Sequence, residues 1–308
     1  MSDSNHYSVL LKESVSALIQ DRSGIYVDGT FGRGGHTRAI LAALAPDGKV
    51  FGFDKDPEAI ASAEALESED ARFTPIHASF ATMQQVFEER SLLVDGVLLD
   101  LGVSSPQLDD ADRGFSFMRD GPLDMRMDNS AGISAAQWIA ETDGRDMARV
   151  FKKYGEEKFA KRIAIKIVEV RAEQEIDTTA KLAEVVRDAM PFVDPHKHPA
   201  TRVFQAIRIE INQELTDLHA ALAGAMAVVK PGGRIVVISF HSLEDRIVKR
   251  FFRKYAQSQD YPQGVPVTHD MLKSPLTLIG RAIKAGDDEV GENVRSRSAV
   301  MRIAERNE

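Results

Sequence analysis

The sequence predicts an α/β fold, a doubly wound and mainly parallel sheet interrupted by an inserted helical domain. Three observations carry this expectation. Short apolar runs alternate with helical patterns as far as Asp100. The first run ends in a glycine-rich turn between Asp28 and His36. The alternation then stops and resumes only at Arg234, which leaves room for a separate body between two sheet strands.

Taken in order, the N-terminal segment reads as a helix, with Val9, Leu10, Val15, Leu18 and Ile19 apolar. Ile25, Tyr26 and Val27 run as a strand into Asp28. The chain then breaks at Gly29, Gly32, Gly34 and Gly35, and apolar residues return at helical spacing from Ala39. Strand, glycine turn and helix form a crevice at the carboxyl end of a strand, with free helix N–H groups beside it. A second strand, Val50–Phe53, ends in Asp54, an acid suited to accept hydrogen bonds from a ribose diol. The pair points to a nucleoside-containing cofactor. Thr37 stands where a third glycine of the dinucleotide fingerprint would be, and no G-K-[ST] follows, so a phosphate loop is not expected.

Asp56 before Pro57 is a helix start, with an N-cap oxygen and then proline at the first helical position. That helix should run to about Leu66. Arg72–His77 reads as a third strand ending beside Ala78, Ser79 and Phe80, and a helix follows through Val86. Val94–Asp100 is a fourth strand, apolar enough to be buried on both faces. From Leu101 to about Ile133 the chain is polar and without period, which reads as a functional lid. Helices are expected from Ser134 to about Met190, the first opened by a capping box of Ser134 and Gln137, with another start at Thr179. Ile163, Ile167 and Val170 recur at helical spacing with basic residues between them.

Asp194-Pro-His-Lys-His-Pro199 is a proline-bounded loop. Its two histidines have no third ligand nearby, so no metal is expected there. A long helix is predicted from Thr201 to Val229. Pro231-Gly-Gly233 then turns into a buried strand, Arg234–Phe240, and the next helix opens with Ser242 and Asp245 as its capping box. His241, at the carboxyl end of that strand, stands where such sheets place ligands. Ser298–Ile303 closes the sheet. The expected division is 1–105 with 205–308 for the cofactor-binding core, and 106–204 for the lid and inserted helical domain.

A chain of 308 residues with 43% hydrophobic and 28% charged content can bury a sizeable core. No apolar run reaches the roughly 20 residues of a membrane span. No secretory signal is visible at the N-terminus, so the expected location is cytoplasmic. The net charge of −8 argues against a general nucleic-acid coat protein. Two basic clusters nevertheless stand out. One holds Lys152, Lys153, Lys158, Lys161, Arg162, Lys166 and Arg171, and the other Arg246, Lys249, Arg250, Arg253 and Lys254. The cysteine count is 0, which excludes disulfides, thiolate metal sites and a cysteine nucleophile.

A nicotinamide dehydrogenase would want the full glycine fingerprint and a second catalytic domain. A methyltransferase using S-adenosylmethionine (SAM) wants a looser glycine turn, an acid for the ribose and a polar group after the fourth strand. Asp100-Leu-Gly-Val-Ser-Ser-Pro-Gln107 lies at that place. There the chain closely resembles the RsmH (MraW) family of bacterial 16S rRNA cytosine-N4 methyltransferases. The matching stretches include Tyr26–His36, Asp100–Gln107, Arg113–Met127, Tyr154-Gly-Glu-Glu157, His198–Arg202, Ile238–Arg246 and Asn293–Ser298. The run Gly114-Phe-Ser-Phe-Met-Arg-Asp-Gly-Pro122 is the most specific.

The resemblance implies a class I, Rossmann-like methyltransferase sheet whose helical insertion helps hold a ribosomal substrate. It implies SAM contacts at Gly34, Gly35, His36, Asp54, Phe80, Asp100 and Gln107. Its implied partner is 16S rRNA, within the small ribosomal subunit, and it leaves a homodimer open. Ser104, Ser105 and Pro106 are the residues expected to meet the acceptor nitrogen, by analogy with the short polar-Pro loops of DNA amino-methyltransferases. Phe115 or Phe117 is expected to stack on an extruded base, and the basic clusters to grip phosphates. Two other readings stay open: an amino-methyltransferase of DNA or a small molecule, and a SAM-binding ribosome assembly factor.

Overall fold

The computed structural model describes residues 8–192, 198–257 and 274–308. The chain divides into two compact units, 1–102 with 216–308, and 103–215. The return to the first unit therefore falls at Thr216 rather than at 205. The loop Asp194–Lys197 with its first histidine lies outside the described residues.

The first unit is built on an eight-stranded sheet in the order β3-β2-β1-β4-β5-β8-β6, with β7 also on β8. Its strands are β1 (Ile25–Asp28), β2 (Lys49–Asp54), β3 (Phe73–His77), β4 (Val94–Asp100), β5 (Val229–Ser239), β6 (Leu276–Leu278), β7 (Ile283–Lys284) and β8 (Val300–Arg306). The first five are parallel to one another, and β8 runs antiparallel beside β5. Alternation along each strand sends side chains to two cores. Leu98, Val236, Ile238 and Met301 face α1 (Leu11–Leu18), α2 (Gly35–Ala43) and α3 (Pro57–Glu69). Val97, Leu99, Ile235 and Val237 face α4 (Met83–Glu89), α11 (Glu214–Val228) and α12 (Ser242–Ala256). Parallel strands buried on both faces explain why these runs read as continuously apolar. Asp56 caps α3 by accepting from Glu58 N, with Pro57 in the first turn, as its sequence suggests.

The second unit holds α5 (Ser105–Asp109), α6 (Ala135–Glu141), α7 (Gly144–Tyr154), α8 (Ala160–Arg171), α9 (Thr179–Ala189) and α10 (Thr201–Ile211). The segment expected as a lid is packed into this unit. Phe115, Leu123, Met125 and Met127 are buried in one core with Trp138, Phe151, Ile163, Leu182 and Phe204. Its polar appearance hides apolar side chains that recur at no regular period, because no single helix or strand carries them. Arg113, buried beneath it, donates to the carbonyls of Arg126 and Met127.

The helix predicted from Thr201 to Val229 is broken. α10 ends at Ile211, Gln213 takes a positive φ of 56°, and α11 starts at Glu214. Asn212 at the break is buried and ties the former lid segment to the helix. Its Nδ2 donates to the carbonyls of Met125 and Arg208 at 2.8 and 2.9 Å, and Met127 N donates to its Oδ1 at 2.7 Å. An apolar pattern that continues through both helices conceals such a break.

Candidate active site

The glycine turn after β1 opens α2, with Gly34 as its N-cap at a φ of 77°. A Cβ on Gly34 would meet the Phe31 ring at 2.7 Å, and one on Gly35 would meet Ser8 Oγ at 2.0 Å. The need for glycine here therefore comes from the protein's own packing as well as from the turn. Thr37, the residue that breaks the dinucleotide fingerprint, is buried and donates through Oγ1 to Asp28 Oδ2 at 2.7 Å. Asp28 Oδ1 accepts from Thr30 N at 3.1 Å, and Thr30 Oγ1 accepts from Asp100 N at 2.7 Å. The turn is thus laced to the end of β4 by a buried acid and two threonines. Thr37 is noted in the sequence only as the missing third glycine and Asp28 only as a strand end; their link through Thr30 is not foreseen there. Their signal was a pair of β-hydroxy residues on either side of a glycine run that follows an acid.

Asp54 ends β2 with its carboxylate already oriented. Oδ2 accepts from Gly32 N at 2.8 Å and Oδ1 from Asp56 N at 2.9 Å. Burial pushes its acid strength down, so its pKa is raised, while the two backbone N–H bonds oppose the shift. Each oxygen keeps a second lone pair, which suits a diol. Phe80 opens a 3-10 turn after β3, packed against the core on the α11 side of the sheet. Ser79 before it donates to Asp217 Oδ2 at 2.8 Å, and Lys55 Nζ reaches the same oxygen at 3.4 Å, which ties the ends of β2 and β3 to α11. This second network was also missed, because Asp217 lies far along the chain in an ordinary helical pattern.

Asp100 ends β4, one strand from the glycine turn. His36 is buried, its Nε2 donates to the Val9 carbonyl at 3.1 Å, and its Nδ1 faces Asp100 Oδ2 at 3.5 Å. A carbonyl can only accept, so Nε2 carries hydrogen and Nδ1 is the nitrogen turned to the carboxyl. A protonated Asp100 can donate to that nitrogen, whereas an ionised one needs a cation beside it. Its other oxygen, Oδ1, is buried with no hydrogen-bond partner among the described residues. Burial raises the Asp100 pKa to about 7, with Asp28 and Glu244 adding to the rise and His36 opposing it. An orphaned, desolvated carboxylate oxygen is a site for a cation. SAM carries two positive centres, a sulfonium and an α-ammonium, so these residues fit that ligand.

In the second unit, Ser104 is the N-cap of α5, with Ser105 and Pro106 in its first turn. Ser104 N donates to Gln107 Oε1 at 2.9 Å, and Gln107 N reaches Ser104 Oγ at 3.5 Å, forming a capping box. The buried Gln107 side chain is therefore already engaged in holding the turn. Ser105 Oγ makes no hydrogen bond among the described residues. Phe115 is buried in the core of its unit, which removes it as a base-stacking surface. Phe117 is half-buried and stacks on His198 at 4.3 Å between ring centroids, with Phe204 edge-on at 5.0 Å. Arg171 of the first basic cluster is spent on structure, donating to the carbonyls of Ile139 and Thr142.

His241 proves to be the N-cap of α12. Its Nδ1 accepts from Glu244 N at 3.5 Å, while Glu244 Oε2 accepts from His241 N at 3.2 Å and Phe240 N at 2.8 Å. The capping box thus sits one residue earlier than Ser242 and Asp245 suggest. An imidazole nitrogen substituted for the usual hydroxyl, which is why the sequence pattern pointed to Ser242 instead.

Three solved structures share a low level of likeness with the chain. An rRNA methylase, provisionally so described, from Clostridium thermocellum is 13% identical, with 98% of each chain covered and a TM-score of 0.44. An rRNA methylase from Streptococcus thermophilus is 11% identical over 97% of this chain and 94% of that one, with a TM-score of 0.42. A provisionally described methyltransferase from Streptococcus mutans in complex with SAH is 11% identical over 96% and 94%, with a TM-score of 0.42. At this level of likeness the substrates of those proteins say nothing about this chain. Among the described residues no helix is long and apolar enough to cross a membrane. The profile of the MraW methylase family matches residues 3–307. With its class I sheet, its glycine turn and the acid that ends β4, the chain belongs to the MraW (RsmH) methylase family and takes S-adenosylmethionine as its methyl donor.

Proposed function

We propose that the chain methylates the exocyclic N4 of a cytosine in the decoding region of 16S rRNA, with the small ribosomal subunit as its partner. The observation that carries this reading is the run Asp100–Gln107. It begins with a carboxylate whose buried, unpartnered oxygen fits a cationic donor and passes directly into a turn of hydrogen-bond acceptors.

When bound, SAM supplies a methyl group on a sulfonium, ready for direct displacement. The chain's task is alignment and exclusion of water. Cytosine N4 is a poor nucleophile because its lone pair is delocalised into the ring. An acceptor that holds one N–H draws the lone pair towards the methyl. Ser104 Oγ and Gln107 Oε1 are engaged in the capping box. The Ser104 carbonyl already accepts from Leu108 N at 3.3 Å, so the Ser105 hydroxyl is the group left for that role. Methylation at C5 commonly runs through a thiolate adduct, and a chain with 0 cysteines cannot form one.

The test is transfer of labelled methyl from SAM to small subunits and to extracted 16S rRNA that lack the modification, followed by nucleoside analysis. Label in N4-methylcytidine is expected. Label on DNA or on a free small molecule would favour the amino-methyltransferase reading. Restored subunit assembly with no transfer at all would favour an assembly factor.

A further inference from the structure

A cleft of about 280 Å³ lies at the edge of the sheet unit, where α12 passes over β8 and the turn between β6 and β7. Lys249, Arg253, Arg281 and Arg302 line it, together with Phe252 and the backbone around Gly280. In the sheet order β5 separates β8 from β4, so the cleft is distinct from the crevice that holds Asp100. At roughly 30 Å³ per water it has room for a sugar–phosphate link and some of its hydration.

The charge in this cleft is unbalanced. Asp245 takes Arg302 in a two-point pair at 2.6 and 3.1 Å. Among the described residues Lys249, Arg253 and Arg281 make no ion pair. Lys249 and Arg253 stand four residues apart on one face of α12, a spacing at which like charges repel. A protein with a net charge of −8 has acids enough to neutralise such a group, yet three cations share one concave wall. Bidentate guanidiniums beside an ammonium match the phosphate oxygens of a polynucleotide backbone.

We infer that this cleft docks the phosphodiester backbone of RNA, as a second contact with the molecule whose base is methylated at the end of β4. The inference rests on the RNA reading proposed above. Because the cleft meets the backbone and no base edge, it contributes affinity and register rather than sequence choice.

The test uses the full-length protein, fluorescence anisotropy and a fluorescein-labelled RNA hairpin with cytosines in its loop, titrated with salt. Alanine at Lys249, Arg253 and Arg281 together should weaken binding at least tenfold at low salt. The slope of log affinity against log salt should fall by roughly two to three, about 0.7–0.9 for each phosphate no longer neutralised. The charge-keeping variant Lys249→Arg, Arg253→Lys, Arg281→Lys should recover most of both. SAM affinity by calorimetry should match wild type in each variant, which also shows that the sheet unit is folded.

Wild-type binding with an unaltered slope in the alanine variant would overturn the cleft and leave the RNA reading standing. Intact hairpin binding without co-sedimentation on small subunits would overturn it in favour of an acidic protein surface. Failure of wild type to bind any RNA would overturn the cleft and the RNA reading together.

Discussion

Asp100 is expected to couple donor binding to pH, and the size of the effect can be worked from its surroundings. Burial moves its pKa from 3.8 to about 7. Three pH units correspond to about 4 kcal/mol of preference for the neutral carboxyl when no ligand is present. A cationic donor beside the orphaned Oδ1 reverses that preference, so binding must expel the proton wherever the ligand-free protein still holds it. Below pH 7 the apparent Kd should therefore rise about tenfold per unit, giving about 25-fold weaker SAM binding at pH 5.5 than at pH 7.5. The α-ammonium of the ligand stays largely protonated through this window. The sign for stability runs the other way. The folded carboxyl holds its proton up to about 7, whereas the unfolded one releases it near 3.8. The ligand-free protein should lose up to ~4 kcal/mol between pH 4 and 7, and SAM should raise Tm more at pH 8 than at pH 5.5. Calorimetry across this range, on wild type and Asp100→Asn, is the assay. The variant should bind weakly with a flat profile. A flat wild-type profile, or a variant that keeps the slope, would refute the assignment.

Asp54→Ala removes a charged acceptor that is held by Gly32 and Asp56. It should weaken SAM binding by about 1.5–3 kcal/mol, and unchanged calorimetric affinity would remove Asp54 from the donor site. Ser105→Ala should lower kcat by more than it alters SAM affinity; the opposite split would move Ser105 to the donor side. Asn212→Ala breaks two buried hydrogen bonds to the segment around Met125 and Met127 and a third to the Arg208 carbonyl of α10. A loss of about 2–3 kcal/mol in urea unfolding is expected. A loss below ~0.5 kcal/mol would mean that the segment is held by its apolar side chains alone.

The sheet unit was legible because its physics is local. Strands buried on both faces give unbroken apolar runs such as Ile235–Ile238, and proline after an N-cap acid marks α3 without reference to any distant residue. That Asp54 and Asp100 end their strands is legible for the same reason. The second unit was harder to read. Its core depends on Phe115, Leu123 and Met125, which are spaced irregularly and buried only once Trp138, Leu182 and Phe204 arrive from elsewhere. The break before α11 rests on Asn212, whose partners lie at Met125 and Met127 as well as one turn back at Arg208. Asp217 had no signal either, since its role is to receive Ser79 and Lys55 from two other loops. Contacts of that range have no period and no motif.

The last strand has a bearing on how this chain is made. β8 lies inside the sheet, with β5 on one flank and β6 on the other, although it spans residues 300–306. Until those residues have left the ribosome, β5 is an open edge of unpaired backbone N–H and C=O groups. The unit formed by 103–215 is continuous and complete long before that point. Synthesis should therefore yield a folded insertion within an unfinished sheet, and loss of residues 300–306 should cost an interior strand. A nascent chain stalled before Val300 would expose its sheet to proteases while its helical insertion resists them.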